Sequence, residues 1–142
     1  MKFMLDTNII VDILSKREGY EKSLQIVKYC ELGVIKGFVS AVTVTDVMYI
    51  LRKYIAPSLV RETVQTLLLI VDVGSVLKSD INSAFTSEMK DYEDAVQAHC
   101  AERLKADYIV TRNVKDFKES AVPAIMPDKA LKLAMEIASF GK

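Results

Sequence analysis

One histidine, His99, and two cysteines, Cys30 and Cys100, are the only imidazole and thiol groups in this chain. The cysteines lie in apolar helical contexts at no metal-binding or redox spacing. A zinc site is therefore not expected, and buried free thiols in a reducing cytosol are. With no second histidine to join it, His99 is read as a packing or surface residue, not a base. An excess of either charge is also missing. Lys plus Arg and Asp plus Glu each total 19, so net charge argues neither for nor against a nucleic-acid partner. If several acids are gathered in one cleft, the remaining surface must be relatively basic. No apolar run approaches the ~18 to 20 residues that span a bilayer; the longest aliphatic stretch is Leu67 to Val71. Asp6 interrupts the N-terminus before a signal-peptide apolar region forms, so no membrane partner is expected and the cytoplasm is the expected location. Repeats, linkers and low-complexity tracts are absent.

What is present is a chain of 142 residues, 51% hydrophobic and 27% charged, the balance of one globular domain spanning residues 1–142. Its organising stretch is Phe3 to Asn8. Phe3, Met4 and Leu5 suit a short buried strand, and Asp6, Thr7 and Asn8 arrive where the helical pattern of Ile9, Ile10, Ile13 and Leu14 begins. Further helices are expected over Tyr20 to Leu32, from Thr43 to Tyr54, over Leu59 to Ile70, over Lys78 to Met89 and over Asp91 to Lys105. Strands are expected at Phe38 to Val42, near Val71 to Val76, at Tyr108 to Val110 and at Ala124 to Met126, with Pro127-Asp128 opening a terminal helix. Alternating strands and helices predict an α/β fold, a mostly parallel sheet with helices on both faces. Right-handed crossovers then decide at which end each helix begins.

In such a sheet the carboxyl ends of the strands form the edge where ligands gather. Asp6 follows the first strand, Asp46 lies early in the helix after the second, and Asp116 follows the Tyr108 to Val110 strand. Asp94 reaches the same edge because its helix runs antiparallel to the strands. Each acid alone is most simply a helix cap or a partner of the helix dipole: Asp6 precedes Thr-Asn, while Thr43-x-x-Asp46, Asp91-x-x-Asp94 and Asn113-x-x-Asp116 resemble capping boxes. Together they would repel. At separations of about 4 to 8 Å and an effective dielectric near 20, each pair costs roughly 2 to 4 kcal/mol. A divalent cation removes that cost, and hard oxygen ligands favour Mg²⁺ or Mn²⁺. Tyr49, Tyr54, Tyr92 and Tyr108 read as amphipathic core-edge residues, not base-stacking platforms. Arg112 and Lys115 flank Asp116 and are the candidates for holding a substrate phosphate.

Leu-Asp-Thr-Asn at residues 5–8, Asp-Tyr-Glu-Asp-Ala at 91–95 and Ala-Asp-Tyr-Ile-Val-Thr-Arg-Asn-Val-Lys-Asp-Phe at 106–117 resemble the PIN-domain ribonucleases, in particular VapC-type toxins of toxin-antitoxin systems. The resemblance covers the chain from Phe3 to the Pro127 region. It implies a three-layer α/β/α fold, hydrolysis of RNA phosphodiester bonds with Mg²⁺ or Mn²⁺, a protein antitoxin as partner, and homodimerisation. Its metal-binding acids match Asp6, Asp46, Asp94 and Asp116; of these, Asp6, Asp94 and Asp116 are expected to hold the ion and Asp46 to help polarise a bound water. Its supporting polar residues match Thr7, Asn8, Thr111 and Asn113. Asp46 departs from the pattern, which commonly has Glu there; Asp91 and Glu93 are the substitutes. Two alternatives stand beside this reading. One is a PIN-like module that binds RNA or protein without catalysis. The other is a phosphatase using Asp6 as a covalent nucleophile, a class that usually has a second Asp where this chain has Asn8.

Overall fold

The computed structural model describes residues 1–141. It centres on β1 (Lys2–Leu5), flanked by β2 (Lys36–Ser40) and β4 (Tyr108–Val110), with β3 (Asp72–Gly74) and β5 (Ala124–Ile125) at the edges. All four pairings are parallel, in the order β3-β2-β1-β4-β5. Around the sheet pack α1 (Thr7–Ser15), α2 (Tyr20–Glu31), α3 (Ala41–Leu51), α4 (Pro57–Leu67), α5 (Lys78–Phe85), α6 (Tyr92–Arg103) and α7 (Pro127–Phe140), and a 3-10 turn spans Val114–Phe117.

Alternation of side chains along β1 creates the three layers. Phe3 and Leu5 face one core with Val39, Val110 and the apolar sides of α1, α2, α3, α4 and α7. Met4 faces the other with Phe38, Ile109, Phe117 and the small residues of α6, Ala95, Ala98 and Ala101. Because both faces are covered, β1 is apolar and buried from Phe3 to Leu5, after the partly exposed Lys2 at its start, as suits a central parallel strand. The chain winds outward through β2 and β3, then returns to the other side of β1 for β4 and β5. The strand order therefore reverses between β1 and β4, and the carboxyl ends of those two strands form the crevice of an open sheet. The Asp6 N–H donates to the Val110 carbonyl at 3.0 Å, which brings the residues just beyond both strands side by side. Among the described residues no helix is long and apolar enough to cross a membrane.

Most expected elements are present, with two instructive shifts. The second strand ends at Ser40, not Val42, and Ser40 caps α3 by accepting the Thr43 N–H at 3.2 Å. The Thr43-x-x-Asp46 capping box is therefore absent, and Asp46 lies in the second turn of α3, beyond the reach of a cap. The helix expected over Leu59 to Ile70 begins two residues earlier, with Pro57 in the first turn of α4, where its missing N–H costs nothing.

Candidate active site

Asp6 ends β1 and caps α1, so the capping and functional readings of this residue coincide in one side chain. Its Oδ1 accepts the Thr7 N–H at 2.8 Å and Gln97 Nε2 at 2.9 Å; its Oδ2 accepts Thr111 Oγ1 at 2.8 Å and Asn8 Nδ2 at 3.1 Å. Burial nevertheless dominates and pushes its pKa upward, against the lowering effects of Thr111, Thr7, Gln97 and the Arg112 charge. Thr7, Asn8 and Thr111, three of the four residues matched to supporting positions, thus each hydrogen-bond to Asp6. Thr7 Oγ1 also lies 3.0 Å from Thr43 Oγ1, and Thr111 accepts the Asn113 N–H at 3.0 Å. Asn113 differs: it takes part through its backbone, and its side chain caps nothing.

Gln97 is a residue the sequence reading passed over. It is buried on α6, donates to Asp6, and accepts hydrogen bonds from Ser40 Oγ at 2.9 Å and Thr43 Oγ1 at 3.0 Å. Its position three residues after Asp94 was the available signal, since i and i+3 share a helix face. Through it, the ends of β1 and β2 and the start of α6 form one polar network, and no buried side-chain polar atom among the described residues lacks a partner.

The acids of α6 divide into two directions. Asp91 caps the helix, accepting the Asp94 N–H at 2.9 Å. Asp94 is pushed up to about 7 by burial first and then by the charges of Asp91, Asp6 and Asp116. The charges of both Asp6 and Asp116 therefore reach Asp94. Glu93 faces α3 instead. A hydrogen bond shared with Asp46, partial burial, and the charges of Asp46, Asp91 and Asp94 push it up to about 7. Asp46 is thus joined to the trio through Glu93.

Over Asp94 and Asp116 opens a cleft of about 480 Å³, with Glu88, Asp91 and Glu119 contributing further carboxylates and Lys90, Lys115 and Lys118 amines. Five carboxylates against three amines leave this cleft hostile to a phosphate until a cation enters. A neighbouring hollow of about 370 Å³ brings Arg112, Asn113 and Lys115 beside Asp116. Lys115 is exposed and available there. Arg112 is already engaged: its Nε pairs with the buried Asp12 at 2.5 Å, and its N–H donates to Asn8 Oδ1 at 3.3 Å. It fastens the segment after β4 to α1, and a phosphate must share it with Asp12.

The donor set suits a hard divalent ion in charge and chemistry, since an ion at the trio would relieve the repulsion that raises Asp94. It is not preassembled. Among the described residues no group of three or more His, Cys, Asp or Glu side chains is already drawn to a common coordination point. A carboxylate offers about four lone-pair sites, so an ion engaging Asp6 must displace one of its donors; Asn8, at the longest distance, is the most easily released.

A pH dependence follows. In the unfolded chain Asp94 titrates near its ordinary 3.8, and in the folded chain near 7. Between these values the folded state holds more protons, so this contribution to stability is present at low pH and lost as pH rises through about 7. The metal-free protein should therefore melt progressively lower from about pH 5 to about pH 8, and Asp94→Asn should flatten the slope. Mn²⁺ affinity should rise over the same interval, because binding must expel the proton. A parent whose metal-free melting temperature climbs across that interval would contradict this account of Asp94.

A family model described as PIN domain matches residues 2–115. Among solved structures, a chain of the DNA-bound VapBC structure from Salmonella typhimurium matches with a TM-score of 0.70 at 18% identity, covering 89% of this chain and 98% of that one. A chain of VapBC2 from Rickettsia felis, bound to a DNA fragment from their promoter, gives 0.68 at 18% identity, with 89% and 98% covered. FitAcB from Neisseria gonorrhoeae gives 0.70 at 17% identity, with 88% and 97% covered. At these identities the likeness is one of fold. No curated protein matches the sequence.

Proposed function

The chain belongs to the PIN-domain family, and from that premise we propose that it is an endoribonuclease dependent on Mg²⁺ or Mn²⁺, acting as the toxin of a toxin-antitoxin pair. The observation that carries the reading is the cleft that Asp94 and Asp116 line together with three lysines, with Asp6 close enough for its charge, like that of Asp116, to act on Asp94. Asp6, Asp94 and Asp116 would hold the ion. When bound, it would supply an electrophile that activates water and neutralises charge building on the phosphoryl group. The four donors around Asp6 keep that carboxylate in one orientation. Lys115 draws the RNA phosphate toward Asp116. Asp46 accepts the proton of the attacking water as the new P–O bond forms in line with the breaking one, Glu93 shares that proton, and the departing ribose oxygen takes up a proton from solvent.

The antitoxin partner is supported by the company the fold keeps: its structural relatives include chains of VapBC complexes. An apolar groove between α1, α2 and α4, lined by Leu14, Leu24, Leu59 and Ile70, suits a protein partner. Homodimerisation and residence in the cytoplasm belong to the same reading. Against the phosphatase alternative stands Asn8, which occupies the place where that class usually has a second Asp and which donates to Asp6 at 3.1 Å.

The test is direct. Mn²⁺ or Mg²⁺ should raise the melting temperature of the purified protein, because the ion binds the folded acid cluster and not the unfolded chain. The same ions should support cleavage of a structured RNA, with EDTA reversing both effects. RNA binding that persists in EDTA, with no product under any divalent ion, would favour the non-catalytic module.

A further inference from the structure

Tyr92, expected at the edge of the core, is 40% exposed, and Phe85 beside it is 72% exposed. Their rings pair with centroids 4.8 Å apart and planes 40° apart. Leaving so much aromatic surface in water forfeits the gain its burial would bring, so the pair calls for an explanation. Its position supplies one. Tyr92 lies between Asp91 and Glu93 at the start of α6, and Phe85 ends α5, so the rings clasp the segment that carries Glu88, Lys90 and Asp91 along the cleft. Tyr92 is also anchored, its Oη donating to the Ile81 carbonyl at 2.9 Å, so the ring it presents is held still. Around Phe85, Asn82, Ser83 and Thr86 are exposed and polar. This is an isolated aromatic face, not the broad apolar surface that a stable protein interface of about 1,000 Å² or more requires.

We propose that the Phe85–Tyr92 pair is a base-stacking platform for an unpaired nucleotide of the RNA strand whose phosphates enter the adjoining cleft. The inference rests on the nucleolytic reading of that cleft and adds to it how the strand is held. Every base has a π face, so such a platform accepts single-stranded RNA with little sequence preference. Phosphates are drawn to Lys90 and Lys115 while a base lies on Phe85, and a strand gripped at both points crosses Asp94 and Asp116.

The probe is a short single-stranded oligoribonucleotide carrying 2-aminopurine, compared with the same strand lacking that base. Affinity is measured with Mn²⁺ present and Asp46→Asn in the background to suppress cleavage. Phe85→Ala should weaken binding of the intact strand about fivefold or more, abolish fluorescence quenching, and leave the abasic strand bound within about twofold. Phe85→Trp and Tyr92→Phe should retain quenching. Equal affinity of Phe85→Ala and its parent for the intact strand overturns the proposal. So does an equal loss for both strands, which marks the pair as a staple of the α5–α6 turn. A dimer that dissociates in Phe85→Ala with RNA affinity unchanged overturns it as well, and assigns the pair to contact with a second copy. Absence of cleavage by the unaltered chain under every divalent ion defeats the nuclease reading alone, because stacking is read from binding.

Discussion

Asp94→Asn is expected to melt higher than the parent without metal and Asp6→Asn lower, although both lose at least about 100-fold in RNA cleavage. The opposite signs arise because the two acids have opposite surroundings. Asp94 is raised to about 7 by burial and three neighbouring carboxylates, so a neutral amide of the same shape removes repulsion and stabilises the empty site. The gain should be largest at low ionic strength. On charge alone Asp6 would be expected to follow suit, but its oxygens accept four hydrogen bonds, from Thr7, Gln97, Thr111 and Asn8. An amide there turns N–H groups toward donors and leaves at least one buried group unpaired, at a cost of about 1 to 3 kcal/mol. For a domain of this size that is a fall of several degrees. In calorimetry both variants should lose Mn²⁺ binding. Undiminished Mn²⁺ affinity in both would place the ion elsewhere. A lowered metal-free melting temperature in both would mean that Asp94, too, serves its helix as a structural group.

How far the sequence revealed this site depends on which physical signal each residue carries. Asp6 was legible because an apolar run buried on both faces stops at a charge, a pattern with few causes. Asp94 and Asp116 followed from the handedness of parallel crossovers, which assigns helix starts and strand ends to one edge with no reference to side chains. The β2–α3 boundary was not legible in the same way. Phe38 to Val44 is rich in β-branched residues that suit a strand, and the capping hydroxyl of Ser40 resembles any other small residue inside it. Gln97 carries no charge and sits among alanines, so composition hides it; only its i+3 relation to Asp94 marks it. The Asp12–Arg112 pair joins residues 100 positions apart, a contact that local periodicity cannot register. Phe85 and Tyr92 show the same limit from the other direction, since hydropathy assigns an aromatic ring to the core and only the packing of α5 on α6 leaves these two outside.

The sharpest division of labour is expected between Asp46 and Asp91. Asp46 shares a hydrogen bond with Glu93 but is not among the charges that raise Asp94, which are Asp91, Asp6 and Asp116. An acid outside the trio proposed to hold the ion is suited to handling the proton of the attacking water. Asp46→Asn should therefore lose most RNA cleavage yet keep Mn²⁺ affinity within about tenfold, or roughly 1.4 kcal/mol. Asp91 presents the converse case. It stands nearer the trio, but its oxygen is already committed to the Asp94 N–H at 2.9 Å. Asn caps a helix nearly as well, so Asp91→Asn should lose at most about 1 kcal/mol of stability and remain largely active. Glu93→Gln tests the link between them: it removes the titrating partner of Asp46 while preserving a hydrogen-bonding side chain, and should shift the pH profile of cleavage more than metal binding. Cleavage of a structured RNA measured beside Mn²⁺ affinity decides among the three. An inactive Asp91→Asn together with an active Asp46→Asn would reverse the roles assigned to these acids.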